Sequence, residues 1–168
     1  MRYKQLIPWF KSVQEGDAFK VIPGDFVSTE EGTGIVHIAA TFGADDKRVS
    51  EANGIAGMMV LDKDGVRQAL VDRKGRFYRI EDLSPEFVKS NMDSSYEEFA
   101  GRYVKNAFDD SLPEDAPTVD IDLCVMLKMQ GKALKIQKHV HNYPHSWRTD
   151  KPILYYPLDA WFIKTTAV

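Results

Sequence analysis

Short stretches of alternating or continuous apolar residues recur along the chain, and most are only four to six residues long. Stretches of this length, bounded by glycine, proline or charged turns, are typical of β-strands. Two turn signals, Asp64-Gly65 and Lys74-Gly75, separate the central stretches. The pattern predicts strands at 18–22, 25–28, 35–40, 58–61, 77–80, 153–156 and 161–163.

Helix punctuation marks four further segments. Asp45 and Asp46 precede a basic pair in a segment that ends at Asn53-Gly54, so both acids are expected in a first helical turn. Ser84-Pro85 has the form of an N-cap followed by proline in the first helical position. The remaining two segments are 94–107, capped by Ser94 or Ser95, and 119–129, whose pattern also fits a strand but whose flanking Thr118 and Gly131 favour a helix.

Mixed elements of this kind predict an α+β fold whose strands curl into a barrel. The 168 residues, 43% of them hydrophobic, suffice for one compact domain. A net charge of -3 argues against a domain that binds nucleic acid without help. Cys124 is the single cysteine, which excludes an internal disulfide and favours a reducing, cytoplasmic setting. No apolar run approaches the roughly 20 residues of a membrane span, so no membrane partner is expected.

Candidate chemistry is concentrated between Asp25 and Asp46. The Gly32-Thr33-Gly34 turn lets the backbone approach a ligand closely, the next stretch projects His37, and the helix start supplies the two acids. A carboxylate in that place could bind an ammonium group. The residue types alone favour a plainer interpretation: a tight turn, a buried histidine with its hydrogen bonds satisfied, and ordinary N-terminal helix acids.

The wording of this stretch, Gly-Thr-Gly-Ile-Val-His-Ile-Ala-Ala-Thr-Phe-Gly-Ala-Asp-Asp (32–46), resembles the signature of editing domains in isoleucyl-tRNA synthetases. A second stretch, 141–152, reads His-Asn-Tyr-Pro-His-Ser-Trp-Arg-Thr-Asp-Lys-Pro and is followed by Tyr155-Tyr156 and 161–164. It is similar to the segment by which the same family returns from its editing insertion to the catalytic core. The resemblance implies a barrel-like editing fold for 1–168, with 142–168 as the return segment.

The resemblance also implies roles for single residues. Asp46 would hold the α-ammonium of a mischarged amino acid, and His37 would line the side-chain pocket, with general-base action as its less favoured role. The backbone of Gly32, Thr33 and Gly34 would form the pocket floor. Water would hydrolyse the aminoacyl ester, without a covalent nucleophile or a metal. The implied partners are the valine-bearing acceptor end of tRNA(Ile) and the catalytic domain of the parent enzyme, which uses ATP and magnesium elsewhere.

Three departures from the family pattern qualify this interpretation. Ala40 replaces a usual proline, and Ser146 stands where many relatives have cysteine. The threonine-rich strand that contributes hydroxyls to the family's editing pocket, and the two ATP-site motifs of its synthetic domain, do not occur in these 168 residues. We therefore expect weak or no hydrolysis by this segment alone and no amino-acid activation.

The region around the second motif is rich in histidine, basic and aromatic residues. Irregular spacing and the lack of a nearby thiol favour a solvated or tRNA-facing surface over a metal site for the histidines. The basic residues fit a contact with the tRNA end and a solvated face equally, and the aromatic ones favour packing over base stacking. These groups are His139, His141 and His145; Lys135, Lys138, Arg148 and Lys151; and Trp147, Tyr155, Tyr156, Trp161 and Phe162.

Two alternatives stay open on the sequence alone. One keeps the editing chemistry but makes the parent valyl- or leucyl-specific. The other is a non-catalytic insertion that positions the tRNA end.

Overall fold

A computed structural model describes residues 1–13, 15–30, 33–113, 116–138 and 140–167. Within these ranges the chain forms α-helices and a two-stranded antiparallel sheet, which confirms the α+β class. The helices are α1 (Ala44–Ala52), α2 (Pro85–Asn91) and α3 (Val119–Met129), and the strands are β1 (Met59–Leu61) and β2 (Arg67–Ala69). Single turns of 3-10 helix occupy Ile80–Asp82, Ser94–Tyr96 and Asn106–Phe108. No helix in the described ranges is both long and apolar enough to cross a bilayer.

The β1–β2 hairpin pairs Val60 with Gln68 at its centre. Its turn is held by the Asp62 carboxylate, which accepts hydrogen bonds from the backbone N–H groups of Asp64 and Val66 at 3.0 and 2.8 Å. Gly65 in this turn has a φ of +78°, a conformation that favours glycine. The predicted turn and the predicted strand before it are both confirmed.

The three helix predictions that rested on end signals are also confirmed. Ser84 caps α2, since its hydroxyl accepts from Phe87 N at 3.4 Å and Pro85 takes the first helical position. Both Asp45 and Asp46 lie in the first turn of α1, which ends before Asn53. The ambiguous segment after Thr118 is helix α3.

An aromatic core lies between the N-terminal segment and the middle of the chain. Tyr96 is fully buried, and its hydroxyl donates to the Tyr78 carbonyl at 2.6 Å. Burial of each large apolar side chain in such a cluster stabilises the fold by roughly 1.5–3 kcal/mol. Its aromatic members are Trp9, Phe10, Phe77, Phe87, Tyr96 and Phe99.

The predicted helix over 94–107 is wrong. It is reduced to the turn Ser94–Tyr96, capped by Asp93 and not by either serine. Gly101 has a φ of +77°, which no α-helix accommodates, and its N–H donates to the Phe77 carbonyl at 3.0 Å. A cross-chain pairing with Phe77 therefore replaces the helical hydrogen bonds that the local pattern predicts.

None of the other six predicted strands is formed as a strand in the described ranges. Two of them contribute only isolated bridges, Lys20 with Arg2 and Phe77 with Val71. In the predicted strand 35–40, Ile35 is 77% exposed, so this apolar segment does not lie in the core. Apolar alternation shows which segments can join a sheet, but a strand forms only where a neighbour supplies its hydrogen bonds. The barrel stays a prediction.

Candidate functional site

The chain makes a tight turn immediately before α1. The Ala39 carbonyl accepts hydrogen bonds from Phe42 N at 3.0 Å and from Gly43 N at 3.1 Å. The Thr41 hydroxyl donates to the Met58 carbonyl at 2.9 Å and ties this turn to the segment that leads into β1. Gly43 is the N-cap of α1 and supplies no capping side chain. The turn is thus held by backbone bonds and one hydroxyl.

Asp46 reaches back from α1 over this turn. Its Oδ2 accepts the Ala39 N–H at 2.9 Å, and the residue is half-buried. Among the described residues, only Oδ2 of this carboxylate carries a hydrogen bond. An N-terminal position in a helix also favours negative charge through the helix dipole. The carboxylate is therefore oriented by the protein, and Oδ1 accepts no hydrogen bond from the described residues.

Asp45 differs sharply from its neighbour. Its side chain is 89% exposed and pairs with Arg48 at 3.0 Å, within the same helix. A solvated pair of this kind contributes little to stability. The two adjacent acids therefore differ: Asp45 is a solvated surface group, and Asp46 is held in one orientation.

The glycine turn upstream is described in part. Gly34 has a φ of +72°, a conformation that favours glycine, and the Thr33 hydroxyl accepts from Ile35 N at 3.3 Å. Gly32 lies outside the described residues. His37 is exposed to solvent. No ion pair joins His37 to Asp46 in the part of the chain that the structure describes, so their convergence on one pocket stays a prediction.

A cavity of about 230 Å³ lies beside the N-terminus of α1. It brings the two distant motifs together, since the first supplies Phe42 and Gly43 and the second supplies Tyr143, with Leu154 and Tyr155 following it. None of these five residues was predicted to line a pocket. For Phe42, Gly43 and Tyr143, membership in the two motifs that carry the resemblance is the signal that could have identified them.

Tyr143 is held firmly in that cavity wall. Its hydroxyl donates to the Ile153 carbonyl at 3.0 Å, and the Lys105 ammonium lies 4.3 Å from the ring centroid. A cation at this distance is attracted to the face of the ring. Behind the cavity, Tyr156 packs against Phe42 at a ring-centroid distance of 6.5 Å, and burial raises the pKa of its phenol. Tyr156 therefore supports the cavity wall through its contact with Phe42.

A second cavity of about 200 Å³ lies along α1, next to Thr41, Lys47 and Ser50. The Ser50 hydroxyl is buried and has no hydrogen-bond partner among the described residues. Neither cavity is lined by Thr33, Gly34, His37 or Asp46.

The second motif presents its polar side chains outward. Trp147 is 87% exposed, and the Arg148 guanidinium stacks on it at 4.7 Å from the ring centroid. His145 Nδ1 lies 2.7 Å from the Tyr143 carbonyl oxygen. His139 is outside the described residues, and the residues that are described contain no group of three His, Cys, Asp or Glu side chains placed to hold a metal ion.

Comparison with known proteins covers the whole chain. The chain is 58% identical over 169 aligned positions to the isoleucine–tRNA ligase of Porphyromonas gingivalis and 53% identical to that of Bacteroides fragilis. A more distant relative, the isoleucine–tRNA ligase of Clostridium tetani, is 32% identical over 168 positions. No family model matches the chain. Each alignment includes at least 99% of this chain, whereas the chain spans only 12–15% of the length of these relatives.

Proposed function

We propose that this chain, which is part of an aminoacyl-tRNA ligase and corresponds to one segment of the isoleucine enzymes, is a proofreading domain that hydrolyses valyl-tRNA(Ile). The observation that carries the proposal is the oriented carboxylate of Asp46, which belongs to the first family motif and lies near an open cavity that residues of both motifs line. A barrel-like editing fold is part of the same proposal. Valyl-adenylate is a second substrate for the same chemistry.

Asp46 would bind the α-ammonium of the misplaced valine through Oδ1. A charge-assisted hydrogen bond of this kind is short and directional. Because Ala39 N–H holds Oδ2, the direction of the free oxygen is set before the substrate arrives. Fixing the ammonium fixes the ester carbonyl two bonds away, so that water attacks from one side, and correct placement lowers the barrier by removing orientational freedom.

His37 and the Thr33-Gly34 turn would form the side-chain pocket. One methylene in an apolar pocket is worth only about 1–3 kcal/mol, and the isoleucine–valine pair is itself the standard illustration of that limit. A second pocket that admits valine and excludes isoleucine multiplies the discrimination. His37 would form the excluding wall, and its exposed position leaves that wall accessible to the incoming ester.

The aromatic cavity would receive the part of the substrate beyond the amino acid. Phe42, Tyr143 and Tyr155 supply ring faces, and nucleobases stack on aromatic side chains in many single-stranded nucleic-acid sites. Gly43 lines this cavity and precedes Asp46 by three positions. The amino-acid and nucleoside parts of one aminoacyl end would therefore lie on adjoining surfaces of the same turn.

Substitution of Asp46 by alanine in the complete enzyme tests the proposal. Deacylation of valyl-tRNA(Ile) should fall by about 100-fold or more, the scale of a lost positioning contact. Asp45→Ala is the matched control, since that neighbour is solvated, and it should deacylate normally. Aminoacylation with isoleucine should survive both changes. Full deacylation by the Asp46→Ala enzyme would remove Asp46 from the site.

A second candidate function is a non-catalytic insertion that positions the tRNA end. The exposed Trp147–Arg148 pair and the solvent position of His37 favour it. It predicts that Arg148→Ala weakens tRNA binding while Asp46→Ala leaves deacylation unchanged.

Comparing valyl, threonyl and isoleucyl esters as substrates separates an isoleucine-type parent from a valyl- or leucyl-specific one.

A further inference from the structure

We propose that Gly43 is a positioning residue for amino-group recognition, because its missing side chain leaves the space into which the Asp46 carboxylate folds. The proposal rests on the function proposed for Asp46. It concerns a residue that touches neither the ammonium nor the ester and acts through its neighbour.

The backbone does not demand glycine at position 43. Its φ of −94° and ψ of 132° are extended values that any residue adopts. Gly34 differs, since its φ of +72° favours glycine. The reason for glycine at position 43 must therefore be sought in the space around it.

That space is filled by Asp46. A Cβ atom added to Gly43 would lie 2.7 Å from Asp46 Oδ2, 2.9 Å from its Cγ and 3.0 Å from its Cβ. Contacts this short are not tolerated, so one of the two groups would have to move. The Asp46 Cβ is fixed to helix α1, and the N–H of Gly43 is bound to the Ala39 carbonyl. Rotation of the carboxylate relieves the contacts with Oδ2 and Cγ, and it breaks the 2.9 Å bond from Ala39 N. The 3.0 Å contact with the Asp46 Cβ requires a small further shift of the turn.

Helix capping alone would favour serine over glycine at position 43. Gly43 is the N-cap of α1, a position where serine serves a helix as well as glycine or better, because its hydroxyl accepts from the first-turn N–H groups. A helix-stabilising role therefore predicts that Gly43→Ser is harmless. The positioning role predicts that the same change is damaging, because serine brings a Cβ.

The test uses Gly43→Ser and Gly43→Ala in the complete enzyme, with two substrates: valyl-tRNA(Ile) and its N-acetylated form, which has no ammonium group. Both variants should raise KM for the free-amine ester by about 10- to 100-fold, the range for a lost hydrogen bond to a charged group. The preference for the free amine over the N-acetylated ester should fall by the same factor. Asp45→Ala, the matched control, should keep both values.

The preference ratio does not depend on how much enzyme is active, so partial misfolding cannot imitate the result. A purely structural role for Gly43 lowers the apparent kcat for both esters and leaves the ratio and KM unchanged, which would overturn the proposal. A Gly43→Ser enzyme whose KM and preference ratio equal those of the unsubstituted enzyme would also overturn the proposal. If Asp46→Ala abolishes deacylation while Gly43→Ser does not, only this inference fails. If Asp46→Ala has no effect, the proposed function fails first.

Discussion

Two regions of this chain are rich in aromatic residues but differ in the burial of those side chains. In the core, Trp9 is 5% exposed and Tyr96 is fully buried. In the segment that follows the second motif, Trp161 is 102% exposed and Phe162 90%. Composition alone does not distinguish the two regions. The difference lies in whether a neighbour covers the side chains, and the free energy of burial is gained only where one does.

The candidate site lies between these regions. Asp46 and Ala39 belong to a turn joined to the β1 segment by Thr41, whereas Tyr143 and Tyr155 come from the exposed side. The hydrogen bonds that shape the site each contribute only about 0.5–1.5 kcal/mol. We infer that the core determines whether the domain folds and that the turn determines whether its site is shaped correctly. The following substitutions test that separation.

The largest expected effect is in the core. Phe99→Ala should lower the free energy of unfolding of the 168-residue chain by about 3–5 kcal/mol, because it removes a ring that contacts Trp9 at a centroid distance of 4.7 Å and leaves a cavity. Urea denaturation measures the change. A loss below about 1 kcal/mol would show that the aromatic cluster is not the stabilising core.

A matched pair of tyrosines gives the intermediate effect. Tyr96→Phe removes a buried hydroxyl that donates to the Tyr78 carbonyl and should cost about 0.5–1.5 kcal/mol, more if that carbonyl stays unsatisfied. Tyr155→Phe removes a hydroxyl from a residue that is 54% exposed and should change stability by less than about 0.5 kcal/mol. The same urea titrations compare the two. Equal losses would contradict the distinction between core and surface.

The smallest expected effect on stability is at Trp161, in the exposed aromatic segment. Trp161→Ser should leave the free energy of unfolding within about 0.5 kcal/mol of the parent value, because the indole gains no burial in this chain. The difference between the native emission spectra of the parent and of Trp161→Ser isolates Trp161 from Trp9 and Trp147, and it should have the emission maximum of a solvated indole. A blue-shifted maximum, or a loss above about 1.5 kcal/mol, would mean that the segment is covered in solution.

Local signals in the sequence predicted the elements that local interactions determine. The Ser84-Pro85 start of α2, the acids of α1 and the Gly65 turn each depend on residues within four positions of one another. The 94–107 helix failed because Gly101 binds Phe77, a residue more than twenty positions away. Propensity within the segment contains no information about such a partner.

The same limit applies to the candidate site. The first-turn position of Asp46 and the turn at Gly34 were predicted from adjacent residues, and both are confirmed. The cavity beside Gly43 was not predicted, because Tyr143 reaches it from the other end of the chain. A family signature can name such residues, but only the fold shows that they meet.

The pairing of the first residues with the middle of the chain has a consequence for synthesis. Lys11 accepts a hydrogen bond from Asn91, 80 positions later, and Trp9 packs on Phe99. A loop of that length must close before any of this burial is gained, which slows folding. During synthesis on the ribosome, Trp9 and Phe10 would therefore stay uncovered until Phe77, Phe87 and finally Phe99 have left the exit tunnel.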